Sequence, residues 1–322
     1  MYLWMVSFLI GASIAFLITS SRRKEKQERR EAQDWNGQHV LITGGSKGLG
    51  LAFAKHILEE GANVTLLSRS MENLEAAKAS IEKEEHRKNI TLVQCDVTQQ
   101  EACSRAIDEV YERHSRIDCV VTCAGSADPC MFLDSAGDGR QFRRQIELNY
   151  LGTVYILQHV LDRMKKRKKG RVIVVSSASG LVSVPGYSAY SASKFALRGL
   201  CDALRVEMMP HNIDVHIFYP SSIDTPGYKQ ENTSKPSVTR KIEGEVSLWT
   251  AEEAANHLCR GVKSDHYQIT TDYLVDLISL TTNGIQPRKI PLIEMLLLPL
   301  MPLVEWYYRT QVIEKEMMKS KK

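Results

Sequence analysis

Thr43-Gly44-Gly45-Ser46-Lys47-Gly48-Leu49-Gly50 lies between an apolar run, His39–Ile42, and the stretch Leu51-Ala52-Phe53-Ala54-Lys55-His56-Ile57-Leu58, whose apolar residues fall at helical spacing. The order is strand, glycine turn, helix. Glycines let a chain turn tightly and bring its backbone up to a pyrophosphate, while the free N–H groups and dipole of a helix start favour the anion. Lys47 is followed by Gly48, so the GK[ST] signature of a P-loop is absent. The turn predicts a dinucleotide site built from Thr43, Gly44, Ser46, Lys47, Gly48, Leu49 and Gly50.

Working outward, short apolar runs alternate with longer stretches of helical period between about Asn36 and Thr282. The strand candidates are His39–Ile42, Val64–Leu67, Thr91–Gln94, Cys119–Thr122, Val172–Val175 and Val215–Tyr219. This rhythm predicts an α/β, Rossmann-type doubly wound parallel sheet in one domain over residues 36–282. The second candidate strand runs into Ser68-Arg69, where a fold preferring NADH offers an acidic residue to the ribose hydroxyls. Arg69 offers positive charge instead, and with Lys47 it suits a 2′-phosphate, which favours NADPH.

Composition narrows the function. The chain has 322 residues, 43% of them hydrophobic and 25% charged, with a formal net charge of +4. Two basic runs, Arg22–Arg30 and Lys165–Arg171, hold more than that excess, so the remaining body is mildly acidic and no nucleic-acid partner is expected. Lys165-Lys166-Arg167-Lys168-Lys169 reads as a solvated loop. The seven cysteines form no CxxC pair and no zinc-type spacing, which points to reduced thiols, a cytosol-facing body and no metal.

The two ends carry the membrane signals. Leu3–Ile18 is almost wholly apolar, so residues 1–21 are expected to form a transmembrane anchor, followed by a basic linker over 22–35. Arg22, Arg23, Lys24, Lys26, Arg29 and Arg30 place that linker on the cytosolic side. Residues 283–322 are expected to be a membrane-associated segment and tail. Within them Ile290–Val304 is apolar, is broken by Pro291, Pro299 and Pro302, contains Glu294 and leads into Trp306, Tyr307 and Tyr308. That pattern suits a segment lying in or dipping into the interface, with a dimer contact or a cover over the core as the alternative.

Tyr190 and Lys194 are four residues apart in a helix-period stretch and share a face, which brings an ammonium near a phenol. A neighbouring cation lowers a phenol's pKa and makes it a better proton donor to a carbonyl near neutral pH. Ser176-Ser177-Ala178-Ser179-Gly180 follows the strand Val172–Val175, at the carboxyl end where such folds bind ligands. Together with Asp96-Val97, Cys123-Ala124-Gly125 and Asn149, these motifs resemble, in order, those of the short-chain dehydrogenase/reductase family. The resemblance implies Tyr190 as proton donor and Ser177 as the hydrogen-bond partner of the substrate carbonyl. Lys194 would lower the tyrosine pKa and hold the nicotinamide ribose, and Asn149 would position a relay water. Asp96 and Val97 would meet the adenine, and Cys123, Ala124, Gly125, Pro220, Ile223 and Thr225 would complete the cofactor site. Two positions depart from the family pattern: Cys123 stands for the usual asparagine, and Ser221 for the glycine of Pro-Gly.

Tyr219–Tyr228, with Glu231–Pro236, Thr239 and Arg240, is similar to the substrate-loop region of 3-ketodihydrosphingosine reductases. That likeness implies NADPH-dependent reduction of a long-chain sphingoid ketone drawn from the bilayer, at the cytosolic face of the endoplasmic reticulum, by a chain that assembles as a homo-oligomer. A membrane-anchored steroid or retinoid reductase would use the same tetrad and cofactor. A non-catalytic lipid-binding scaffold is the alternative from another class, against which the complete tetrad stands.

Overall fold

The computed structural model describes residues 34–319 apart from 82, 136, 245–247, 283–285, 290–293, 295 and 296. Its centre is a seven-stranded parallel sheet in the order β3 (Ile90–Gln94), β2 (Asn63–Ser68), β1 (His39–Thr43), β4 (Cys119–Thr122), β5 (Gly170–Val175), β6 (Ile213–Tyr219) and β9 (Gln268–Thr270). The elements run β1 (His39–Thr43), α1 (Gly48–Glu59), β2 (Asn63–Ser68), α2 (Met71–Ala79), α3 (Glu84–Lys88), β3 (Ile90–Gln94), α4 (Gln100–Arg113) and β4 (Cys119–Thr122). They continue as α5 (Arg140–Gln145), a π-helical turn (Ile146–Leu151), α6 (Gly152–Arg167), β5 (Gly170–Val175), α7 (Ser188–Glu207) and β6 (Ile213–Tyr219). After these come β7 (Ile223–Asp224), α8 (Pro226–Ser234), α9 (Ser237–Glu243), β8 (Trp249–Thr250), α10 (Ala251–Lys263), β9 (Gln268–Thr270) and α11 (Tyr273–Thr282). β7 and β8 form a separate two-stranded parallel pair.

The strand order reverses between β1 and β4, which opens a crevice at the carboxyl ends of the strands, where the glycine turn sits. Both faces of the sheet are covered, so β1 and β4 are buried along their whole length and read as continuous apolar runs. Alternation still assigns the faces. Leu41 packs with Val120, Val172 and the helices α4, α6 and α7, through Ile107, Val160 and Leu197. Val40 and Ile42 pack with α1, α2 and α10, through Phe53, Leu74 and Leu258.

All six expected strands are present, and β9 is an addition. Gln268-Ile269-Thr270 is too short and polar to announce itself, and its place comes from pairing with Ile217–Tyr219. Trp35, counted with the linker on composition, is fully buried. It stands edge-on to Phe53 at 5.6 Å and beneath the Arg171 guanidinium at 5.2 Å.

The anchor expected at residues 1–21 and the linker as far as residue 33 lie outside the described residues, and among the described residues no helix is long and apolar enough to cross a membrane. The C-terminal segment is described in part. Arg288 and Lys289, just before the apolar stretch, are engaged inside the protein: Arg288 pairs with Glu294 at 3.2 Å, and Lys289 with Asp276 and, at 2.8 Å, Thr270. Met301 is buried, and α12 (Met301–Tyr307) and α13 (Lys315–Lys319) follow, the latter against α9. Leu300, Leu303, Trp306 and Tyr307 remain more than half exposed.

Candidate active site

A cleft of about 1160 Å³ runs from the glycine turn across the carboxyl ends of the strands to α8, α9 and α11. At its first end, Gly44 has φ +66° and an added Cβ would lie 2.9 Å from the backbone of Ala124. Gly50 packs so closely on Gly44 that a Cβ there would lie 2.6 Å from its carbonyl oxygen. α1 begins at Gly48 with no side chain capping its first N–H groups, so those donors are open to an anion. Lys47 and Arg69 line the same end, both exposed and neither ion-paired with another described residue. The glycine cradle, uncapped helix start and two cations fit a phosphorylated dinucleotide.

Most of the expected cofactor residues line this cleft: Gly44, Ser46, Lys47, Gly48, Leu49 and Arg69 at one end, then Val97, Cys123, Ala124 and Gly125, and finally Tyr190, Lys194, Pro220, Ile223 and Thr225. Thr43, Gly50 and Asp96 do not. The Thr43 hydroxyl accepts from the Ala124 N–H at 3.1 Å and ties β1 to the end of β4. The Asp96 carboxylate accepts through Oδ1 from both the N–H and the hydroxyl of Thr98, at 3.0 and 2.9 Å, so it organises the turn into α4.

Ser177 lies two residues beyond β5, and its hydroxyl is near enough to the phenol of Tyr190, in the first turn of α7, to act on that phenol's pKa. Ser176 instead donates to the Lys194 carbonyl at 3.1 Å, and Ser177 also accepts from the Ser179 N–H, so of the three serines Ser177 alone meets Tyr190. Burial pushes the Tyr190 phenol up, the Ser177 hydroxyl opposes this, and the Glu231 carboxylate adds to the rise. The net shift is upward, against the expected lowering by Lys194. Lys194 Nζ is 5.7 Å from the Tyr190 ring centroid and donates to the Val175 carbonyl at 3.0 Å, and burial brings its own pKa down to about 8.

Asn149 lies in the π-helical turn, a device that re-aims side chains near functional sites. It is buried outside the cleft wall. Its amide donates to the Ser126 carbonyl, Gln145 and Ser193 at 3.0, 3.1 and 2.9 Å, and its oxygen accepts from the Ser126 N–H at 3.0 Å. Asn149 thus fastens the loop after β4 to the catalytic helix. Cys123 donates from its backbone N–H to the Thr43 carbonyl at 3.2 Å, and burial pushes its thiol up to about 12, so it is neutral. Ser221 donates from its N–H to the Thr271 hydroxyl at 3.0 Å, and Thr271 donates to Asp272, which caps α11 at the Val275 N–H.

The far wall holds residues given no chemical role from the sequence. Tyr187 donates its phenol to Glu231, and Lys235 pairs with Glu231 at 3.1 Å and Glu243 at 2.8 Å. Burial would lower the Lys235 pKa, but the two carboxylates outweigh it and hold the ammonium above its ordinary value. Glu231 and Lys235 are four apart on what the sequence marks only as a loop, which was the one available signal.

Comparison with known proteins agrees with this geometry. The family profile described as short chain dehydrogenase matches residues 38–236. The chain is 33% identical over 284 residues to a 3-ketodihydrosphingosine reductase of Dictyostelium discoideum, covering 83% of this chain and 84% of that one. It is 37% identical over 254 residues to the 3-ketodihydrosphingosine reductase of Bos taurus, covering 78% and 76%. Among solved structures, a short-chain dehydrogenase from Streptomyces avermitilis superposes with a TM-score of 0.66 at 25% identity, covering 76% of this chain and 91% of that one. ElxO with NADP bound superposes with a TM-score of 0.63 at 26% identity, covering 74% and 99%.

Proposed function

This chain belongs to the short-chain dehydrogenase/reductase family, and from that premise we propose that it reduces the 3-keto group of 3-ketodihydrosphingosine to dihydrosphingosine with NADPH, a step of sphingolipid biosynthesis. The gathering of Ser177, Tyr190 and Lys194 in one cleft continuous with the glycine turn carries the reading. The names of the curated relatives support the substrate. Arg69 and Lys47 support NADPH as the nicotinamide cofactor.

NADPH, when bound, supplies hydride to the carbonyl carbon. The residues around it hold and move the proton. The raised Tyr190 phenol stays protonated through neutral pH and gives its proton to the carbonyl oxygen as negative charge develops there. Ser177 donates a hydrogen bond to the same oxygen. Lys194, charged below about pH 8, provides the neighbouring positive charge and holds the end of β5 through Val175. Asn149 keeps the loop bearing Gly125 and Ser126 in register with α7.

The reading includes an anchor at residues 1–21, a cytosol-facing body at the endoplasmic reticulum membrane, and a homo-oligomer. The exposed Leu300, Leu303, Trp306 and Tyr307 support a C-terminal contact with the bilayer surface. The deciding experiment is NADPH oxidation by the detergent-solubilised protein with 3-ketodihydrosphingosine, a steroid ketone or retinal, with Tyr190→Phe as the blank. Turnover of the sphingoid ketone alone is expected. Turnover of only the steroid or the retinal overturns the substrate and leaves the fold and cofactor standing.

A further inference from the structure

The cleft wall opposite the glycine turn carries two carboxylates, Glu231 and Glu243, that share one ammonium, Lys235, at 3.1 and 2.8 Å. The Lys235 side chain is 1% exposed and lies behind the wall, stacked over Tyr228 at 4.8 Å, while both carboxylates reach the cleft surface. Two negative charges against one positive leave the wall with one negative charge that its own lysine does not balance. The cleft's cations, Lys47 and Arg69, line its other end, and Lys194 is held on Val175.

That charge stands close to the reacting centre. Tyr187 donates to Glu231, and the rings of Tyr187 and Tyr190 are 5.8 Å apart between centroids. A molecule whose carbonyl oxygen sits on Tyr190 brings the next carbon and its substituents toward Tyr187 and Glu231. A neutral alkyl chain gains nothing from a carboxylate there. A cation taken out of water into the cleft needs a charged partner, without which desolvation opposes binding. 3-Ketodihydrosphingosine is a 2-amino ketone, with its nitrogen on the carbon next to the carbonyl.

Resting on the function proposed above, we propose that Glu231 is the specificity residue that receives the substrate's ammonium group, and that Tyr187 and Lys235 hold it in place beside Tyr190. Glu243 balances Lys235, so that Glu231 keeps acceptor capacity toward the cleft. The same arrangement disfavours steroids and retinoids, which would desolvate the carboxylate without pairing it.

The test compares 3-ketodihydrosphingosine with its desamino analogue, the 1-hydroxy-3-ketone of equal chain length, in the same detergent micelles with NADPH. The wild-type protein is expected to prefer the amino ketone in kcat/KM. Glu231→Gln keeps a partner for Tyr187 and removes the charge, and should cut that preference about 30-fold, mainly through KM, the size expected for one charge-assisted hydrogen bond. Glu231→Asp should restore part of it. NADPH affinity, followed by fluorescence, should change less than about twofold, which reports an intact fold and cofactor site. Equal losses on both ketones in Glu231→Gln, or no preference in the wild type, overturn the assignment and leave the proposed reaction intact. Reduction of neither ketone, with turnover of a steroid or retinal, overturns the proposed function itself.

Discussion

Lys194 donates from Nζ to the carbonyl oxygen of Val175 at 3.0 Å, so the ammonium of the catalytic helix is fastened to the last residue of β5. Buried there, its pKa falls to about 8. The charged form exists below that pH, so kcat/KM for ketone reduction should hold level near neutrality and fall as pH rises through 8. A pH profile of the wild type and of Lys194→Arg checks this, because the arginine stays charged and should move the alkaline limb up by more than one pH unit. An unmoved limb assigns the titration to another group.

Arg69 is exposed at the end of β2, in the cleft beside Lys47. Arg69→Ala should raise the KM for NADPH about 10- to 50-fold, the loss of one charge-assisted contact to a phosphate, and change the KM for NADH less than about twofold. Steady-state kinetics with the two cofactors separate these outcomes. Equal effects would show that Arg69 does not meet the 2′-phosphate.

Trp35 fills the space between Phe53 and Arg171 with no exposed surface. Trp35→Ala should destabilise the domain by about 3–5 kcal/mol, a large aromatic side chain removed from a close-packed site. The urea midpoint should drop with little change in slope. A loss under about 1 kcal/mol would mean that the segment before His39 is dispensable.

His39 is buried at the start of β1, bonded to the Thr65 hydroxyl at 2.8 Å and 4.1 Å from the His114 ring. Burial first, then His114, lowers its pKa to about 4. The unfolded chain takes up this proton near pH 6.5 and the folded one near 4, so stability falls as pH drops through that window. The contribution is about 3 kcal/mol at full extent. Denaturation series between pH 7 and 4.5 should show the loss, and His39→Gln should flatten it. An undiminished slope in that variant would move the effect to other groups.

The sheet was legible because strands covered on both faces are nearly continuous apolar runs, and Val120, Ile173 and Ile217 announce themselves. β9 was not, since two of its three residues are polar and its burial is imposed by β6. Tyr190 and Lys194 were legible from helical spacing, but the upward shift of the Tyr190 phenol was not. The ammonium's partner is a backbone carbonyl from a different element, and burial acts on both groups. Asn149 draws its partners from three segments, so its position could be named and its contacts could not. Glu231 and Glu243 reach the cleft through short helices, of which α9 is docked on Pro185 through Thr239.

That docking has a mechanical side. Thr239 donates to the Pro185 carbonyl at 2.8 Å, and the next residue, Gly186, has φ +91° and so little room that a Cβ would lie 2.3 Å from the Thr239 hydroxyl. Helix α9 and the segment leading into the catalytic helix are therefore geared together at a seam, and lifting one drags the other. A long aliphatic chain that had to pry this seam open would disturb Tyr190 at every turnover. Leu274, 56% exposed on α11, lines the same cleft outside that seam, and a chain seated against it would leave the seam closed.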